Sequence, residues 1–362
     1  MGLSRLGPTY WNARLRKWPR ARTGSHGYSL LVPVPGDLPV FLSLALAVLA
    51  HQEGASRLET IVLPDRMTPE VREIVAKAGR NWPDNLRLQP FGLPERWALP
   101  RLGNPGRNHA IQLITGVRVS RASHVVLHDA DLFLFHPGQL DRQFERCCKE
   151  RLACLGVSPA WDQWLADHGL SLAATWELCA QVEWVRSFPP VQHMAHARRM
   201  FGERHVFDTT YYPQALTEPH RIGIAPNDDI VHFNYVISNY RRFIRRGQVQ
   251  WGDGSFRLLL VSLFVAVFDR ERAGAYRLPS LGELGSFLGD SAAPVRYPPP
   301  EDGAHEYPQF RRRLSKALAG PWVSEQQQQL TADALRPFDR FYGYEDKHPS
   351  GMGALPGPGG PY

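Results

Sequence analysis

The most constraining stretch of this chain is residues 123–135, SHVVLHDADLFLF. Residues 125–127 are β-branched and aliphatic and read as a buried strand. They lead directly into two carboxylates, Asp129 and Asp131, spaced i, i+2. On extended backbone that spacing turns both side chains to one side. Two carboxylates on one face, at the polar end of an apolar strand, repel each other and lose hydration. A divalent cation relieves both penalties, and oxygen ligands of this kind suit Mg²⁺ or Mn²⁺. A pair of solvated loop aspartates is the competing reading, and the rest of the chain must decide between them.

Upstream, residues 28–35 form a buried strand that stops at Pro33 and Pro35, which cannot donate to a ladder. Gly36 and Asp37 make a turn into an apolar helix over 38–51. A second strand, 58–63, ends at Pro64-Asp65. Thr68-Pro69 is an N-cap followed by proline at the first helical position, and that helix runs to Gly79. A short strand over 86–88 and a helix over 108–119 precede the carboxylate strand. Alternating strands and helices predict an α/β fold, a doubly wound, mostly parallel sheet with helices on both faces. Ligands of such sheets bind beyond the carboxyl ends of the strands. Residues 35–37, Asp65 and the pair Asp129 and Asp131 all fall there, which favours the functional reading of the pair.

The order and spacing of these pieces resemble the family-2-type GT-A glycosyltransferases. Residues 28–35 followed by an apolar helix ending Ala50-His51-Gln52 resemble that family's opening. Residues 61–65 are similar to its second strand ending in Asp, and Gly106-Arg107-Asn108 to its Arg-Asn segment. Residues 125–132 match its hydrophobic strand and Asp-x-Asp motif. The resemblance spans residues 28–235, although the first strand ends Pro-Val-Pro where the family usually has Pro-x-Tyr/Phe-Asn. It implies a GT-A-type sheet and an enzyme that moves a hexosyl group from a nucleotide-sugar donor to a hydroxyl of a glycan or lipid-linked acceptor. It implies Mn²⁺ or Mg²⁺ held by Asp131, and by Asp129 directly or through the ribose. Asp65 would meet the nucleoside, with Arg107 and Asn108 near the donor phosphates. Asp208 would be the catalytic base of an inverting displacement, and His232 a ligand of the metal or diphosphate. From the residues alone, Asp208 is equally a helix cap and His232 equally a hydrogen-bonded core histidine. Two rival classes stay open. One is a metal-dependent phosphoesterase, suggested by His128-Asp129-Ala130-Asp131, although the helical scaffold of the His-Asp phosphohydrolases does not suit this pattern. The other is a non-catalytic GT-A-like domain that binds a nucleotide sugar or glycan.

The second half is less regular. A helix is expected over 141–151 and a strand over 152–157. Trp161, Trp164, Trp176 and Trp184 either line a sugar-binding groove or pack a small core. Asp208 is expected at the start of a helix and 227–235 as a last strand. Beyond Arg246 come an apolar helix over 255–269, a Leu/Gly-rich segment over 278–288, a proline-rich linker over 294–300, and helices over 309–319 and 324–335. The expected division is a basic arm (1–27), a GT-A-like domain (28–246), a helical extension (247–342) and a disordered Gly/Pro-rich tail (343–362).

A net charge of +7, with Arg/Lys runs at 14–22, 241–246 and 311–313, suits peripheral contact with an anionic membrane or simply solvated faces. No nucleic-acid-binding motif accompanies the charge. The four cysteines (147, 148, 154 and 179) include no CxxC pair, so a reduced, cytoplasmic setting is expected. Residues 1–27 carry no apolar leader, and the longest apolar run, 258–268, falls short of the roughly 20 residues a membrane span needs. A soluble protein, at most peripheral at the inner face of the membrane, is the expectation.

Overall fold

The computed structural model describes residues 6–19, 24–102, 105–225, 230–233, 236–247, 251–279, 303–319, 324–341 and 343–344. The first half contains α1 (Leu6–Arg14), β1 (Ser25–Val34), α2 (Pro39–Leu49), β2 (Arg57–Pro64), α3 (Pro69–Ala78), β3 (Asn85–Leu88), α4 (Leu93–Leu102), α5 (Pro105–Val119), β4 (Ala122–His128) and β5 (Leu132–Leu134). There follow α6 (Gln139–Lys149), β6 (Cys154–Gly156), α7 (Gln163–Asp167), β7 (Glu177–Gln181), α8 (Val182–Ser187), β8 (His196–Met200), β9 (Glu203–Phe207), α9 (Tyr211–Ala215), β10 (Ile222–Ile224) and β11 (Ile230–His232). The C-terminal part is helical: α10 (Val236–Arg246), α11 (Trp251–Phe268), α12 (Gly303–Leu318) and α13 (Glu325–Phe341).

Seven strands form one sheet in the order β10-β6-β7-β4-β1-β2-β3. β1 pairs in parallel with β2 on one side and β4 on the other, and β2 pairs in parallel with β3. β7 runs antiparallel to both β4 and β6. The fold is therefore α/β with a mostly parallel sheet. From β1 the chain winds outward through β2 and β3, then crosses back to place β4 on β1's free side. Strand order reverses there, and a crevice opens beyond the carboxyl ends of β1 and β4.

The central strands are apolar on both faces because helices cover both. Leu30, Val32 and Val34 of β1 belong to a core shared with α2, α6, α10 and α11, whereas Leu31 faces Leu113 and Val117 of α5. The apolar middle of α11, Leu258 to Val265, joins the first of these cores. Local signals act as expected in α3, where Thr68 Oγ1 accepts the Val71 N–H and Pro69 fills the first turn.

Two helices of the first half escaped the sequence pattern, as did strands β5 and β7 to β10. Residues 6–14 are helical, and Trp11 and Leu15 are buried beneath α4 and α5 with Phe91, Ala98 and Ile111. α4 itself buries Glu95, Ala98 and Leu99, an i, i+3, i+4 face that two prolines had obscured. Most of the Leu/Gly-rich segment, the proline-rich linker and the tail beyond 344 lie outside the described residues, as do residues 226–229 and 234–235.

The amino end of the sheet is fixed by one buried carboxylate. Glu59 accepts hydrogen bonds from Arg87 Nε (2.8 Å), Ser29 Oγ (2.7 Å) and the Arg121 N–H (3.0 Å), joining β1, β2, β3 and the approach to β4. Burial alone would raise its pKa; the bonds from Arg87, Ser29 and Arg121 outweigh that and hold it below the usual glutamate value. Arg87→Ala would leave this carboxylate undercompensated, and a loss of about 3 kcal/mol is expected in urea unfolding. Because the folded pKa lies below the unfolded one, Glu59 stabilises the fold above about pH 4.5 and less as pH falls through the folded value. The stability gap between the wild type and Glu59→Gln should therefore shrink on acidification below that pH.

Candidate active site

β4 ends at His128, and the chain turns through Asp129-Ala130-Asp131 before resuming as β5. The turn is held by backbone bonds: the Asp129 N–H donates to the Trp176 carbonyl (2.9 Å), the Leu132 N–H to that of Asp129 (3.1 Å), and the Phe233 N–H to that of Asp131 (2.9 Å). β5 pairs antiparallel with β11, which sets His232 opposite Leu132. His232 Nε2 thus lies 3.6 Å from Asp131 Oδ1. Asp129, Asp131 and His232 each offer a ligand atom, all within 4.8 Å of one another. Two carboxylates and one imidazole form a donor set that fits Mn²⁺ or Mg²⁺. His232 is further positioned by Trp176, whose indole stacks on its ring at 4.3 Å and 21°.

His109 of α5 approaches from the other side, with Nε2 3.1 Å from Asp129 Oδ1. Its burial disfavours the charged form, but the carboxylates of Asp129, Asp208 and Asp131 outweigh this and raise its pKa above the usual histidine value. When protonated, His109 relieves part of the repulsion between the two aspartates.

A cavity of about 400 Å³ opens beside this cluster, walled by the carboxyl ends of β1, β2 and β4 and by α5 and α10. The loops that form it are tied to one another. The Gly36 N–H donates to Asp65 Oδ1 (2.8 Å). A Cβ at Gly36 would lie 1.7 Å from the Arg66 carbonyl oxygen, so only glycine allows that approach. Gln112 Nε2 donates to the Val34 carbonyl (3.1 Å) and that of Leu63 (2.5 Å), clamping the ends of β1 and β2. Asp37 is paired twice with Arg241, at 3.1 and 2.8 Å. Burial would raise the Asp37 pKa; Arg241 and Arg66 outweigh it and hold the carboxyl below its ordinary value.

Of the residues singled out in the sequence, Asp65, Asn108, Asp129 and Asp131 line this cavity. His232 joins the two aspartates, as described. Arg107 is not on the cavity wall; its charge acts on His196 of β8. Asp208 does not begin a helix. β9 runs to Phe207, α9 starts at Tyr211, and Thr210, at φ 64°, occupies the cap position. Asp208 Oδ1 instead accepts the Thr209 N–H (2.6 Å). The Asp208 side chain is exposed, close enough for its charge to act on His109.

The succession His128-Asp129 is not one cluster, because successive residues of a strand face opposite ways. His128 Nδ1 meets Glu177 Oε2 at 2.6 Å, with both side chains fully buried. That removes the ligand on which the phosphoesterase reading rested. The four tryptophans divide. Trp176 packs on His232 with Trp161 edge-on against it (5.5 Å), and Trp161 keeps 36% exposure. Trp164 stacks on His205 (4.2 Å, 4°) in a satellite cluster, whereas Trp184 is buried and donates to Thr217 Oγ1. The three basic runs divide as well: Arg14 pairs with Glu95, Arg241 is bound to Asp37 while Arg245 lines the cavity, and Arg311 is buried against Asp339.

His109 and Gln112 were missed from the sequence. Their signal was present: residues 108, 109 and 112 make a polar patch on one face of the early turns of α5, whose later turns bury Leu113, Ile114 and Val117. Among the described residues, no helix is long and apolar enough to cross a membrane.

No family model and no curated protein matches this sequence. Solved structures do. The mannosyltransferase PcManGT of Pyrobaculum calidifontis, solved with GDP-Man and Mn²⁺, matches at a TM-score of 0.41 and 14% identity, over 86% of this chain and 94% of that one. TarS 1–349 of S. aureus matches at 0.37 and 13%, over 87% and 89%. The galactosyltransferase LgtC, solved with donor and acceptor sugar analogues, matches at 0.36 and 12%, over 46% and 62%. These three solved proteins, to which the chain is similar, are GT-A-type glycosyltransferases.

Proposed function

We propose that this chain is a nucleotide-sugar-dependent glycosyltransferase, moving a hexosyl group to a hydroxyl of a glycan or lipid-linked acceptor with inversion at the anomeric carbon. The observation that carries the reading is the cluster of Asp129, Asp131 and His232 at the carboxyl end of β4, beside a cavity of about 400 Å³ where the strand order reverses. In this reading residues 28–246 are the transferase unit, with the arm, the helical extension and the tail as additions to it.

Asp129, Asp131 and His232 would hold Mn²⁺ or Mg²⁺. When bound, the cation neutralises the charge that builds on a departing nucleoside diphosphate. The chain's own residues do the rest. Asp65, fixed by the Gly36 N–H, presents its second oxygen to the nucleoside. Asn108 contributes a polar wall at the donor, and Arg107 beside it adds positive charge at the first turns of α5. Asp208 takes the proton of the acceptor hydroxyl on a carboxylate oxygen as that oxygen attacks the anomeric carbon. One C–O bond forms as the bond to the diphosphate breaks, and a single displacement inverts the centre.

Two variants test separate parts of this reading. Asp131→Ala should lose Mn²⁺ binding in calorimetry, with melting temperature unchanged or raised because a like-charge contact is relieved. Unaltered Mn²⁺ affinity would mean the cluster is not a metal site. Asp208→Asn retains an oxygen for the Thr209 N–H but is a far poorer proton acceptor. As base, it should lose about 10²-fold or more in kcat, with donor binding and stability retained. An Asp208→Asn enzyme of full activity would move the base elsewhere. Donor hydrolysis measured with and without acceptor separates a transferase from a domain that only binds nucleotide sugars.

A further inference from the structure

α4 has two unlike faces. Inward, Glu95, Ala98 and Leu99 are buried, and Leu99 lines the cavity that also holds Asp129 and Asp131. Outward, Leu93 is 74% exposed and Trp97 57%, four residues apart and so on one stripe of the helix. Trp97 is the most exposed of the tryptophans whose side chains are described. Its indole is not solvated on all sides: the Arg101 guanidinium lies over the ring at 4.9 Å and donates to the Trp97 carbonyl (2.7 Å).

The exposed charges of α4 and of the residues just after α1 carry one sign. Arg96 and Arg101 are exposed on α4, and Arg14, Arg16 and Lys17 are exposed on and just after α1, which packs against it. The sole acid in residues 6–19 and 91–102 is Glu95, which is buried and neutralised by Arg14 (3.2 Å) and Arg118 (3.9 Å).

We propose that the outer face of α4, with Arg96 and Arg101 and supported by the exposed Arg16 and Lys17 just after α1, is a docking site for an anionic lipid bilayer. Tryptophan and leucine enter the headgroup boundary, while arginine and lysine stay at the phosphates with their stems along the apolar surface. A folded protein partner suits the face less well. A stable protein interface is usually broad with a largely apolar centre, and here two apolar side chains are flanked by the arginines Arg96 and Arg101. The docking does not depend on the transferase reading, but its meaning does. Leu99 and Trp97 are on opposite sides of one helix, about 10 Å across. A bilayer seated on Trp97 would bring the cavity to the level of its headgroups, and the acceptor would then be lipid-linked.

The test uses the whole chain, without donor or metal, in co-sedimentation with vesicles. One set contains about 30% phosphatidylglycerol in phosphatidylcholine and the other phosphatidylcholine alone, both at about 0.1 M NaCl. Binding to the anionic set is expected to be at least about tenfold stronger than to the neutral set, and to fall by a similar factor in Trp97→Glu and in Leu93→Glu. Phe201→Glu, an exposed aromatic on the β8–β9 turn, should bind as the wild type does. Circular dichroism melts of the α4 variants should be unchanged, since both side chains are exposed. Absence of wild-type binding to anionic vesicles would overturn the proposal, as would binding that the α4 variants retain or that Phe201→Glu abolishes. A wild type that is dimeric by light scattering, with Trp97→Glu monomeric, would give the face to a second copy of the chain and overturn it too. Donor hydrolysis without vesicle binding would sink the docking alone, whereas vesicle binding without any donor turnover would sink the transferase reading alone.

Discussion

The arrangement depends on β1, which hydrogen-bonds in parallel to β2 on one edge and β4 on the other. Parallel neighbours on both sides mean that three strands deliver their carboxyl ends to one place. Those ends here are Pro35 to Asp37, Asp65 with Arg66, and Asp129 to Asp131. Backbone groups that leave the sheet there lose ladder partners and must find others. The chain uses polar side chains for this: Gln112 takes the Val34 and Leu63 carbonyls, and Asp65 takes the Gly36 N–H. The polar wall of the cavity is the means by which the sheet terminates.

Charge in that wall is arranged rather than merely accumulated. Asp37 is bound to Arg241, and Asp129 faces His109. Asp131 is the most buried of the cavity's aspartates, and among the described residues its ion-pair neighbour is His232, at 3.6 Å. A carboxylate that is 5% exposed and so weakly partnered is costly unless a cation joins it. The opposite end of the sheet shows the contrast: Glu59, equally buried, has three short bonds and no vacancy for a ligand. Similar burial with different satisfaction separates a structural carboxylate from a candidate ligand.

The first half of the fold was legible because each strand there is short, apolar and followed by a helix with a marked start. Thr68-Pro69 and Pro35, the residue after β1, gave boundaries that the structure repeats to within a few residues, although Pro33 lies inside β1. The carboxylate pair was legible for the same reason, since it interrupts an apolar run. What failed depended on tertiary contact. α1 lacks a strong amphipathic period, and its helix is defined by Trp11 and Leu15 reaching under α4. Asp208 read as a cap because an acid precedes a helix. The chain instead turns through Thr210 in a left-handed conformation, which no local composition announces. His109 carries no local mark that sets it apart from its neighbours Arg107 and Asn108. Its partner, Asp129, follows in the next strand, and only the crossover brings them together.

The direction of β7 explains why the tryptophan-rich segment lies where it does. β6 and β4 both run antiparallel to β7, so β6 ends, and β7 begins, at the same end of the sheet where β4 ends. The segment between them, residues 157–176, is therefore delivered to the carboxylate end without any crossover. The register sets His128 opposite Glu177, so Trp176 emerges beside Asp129 and its carbonyl takes the Asp129 N–H. From there its indole lies against His232, whose own strand reached the site by pairing with β5. Had β7 been parallel, its first residue would sit at the Glu59 end, and neither Trp161 nor Trp176 would approach the cluster. One antiparallel strand in a parallel sheet thus supplies the aromatic side of the cluster, just as the reversal at β1 supplies its carboxylates.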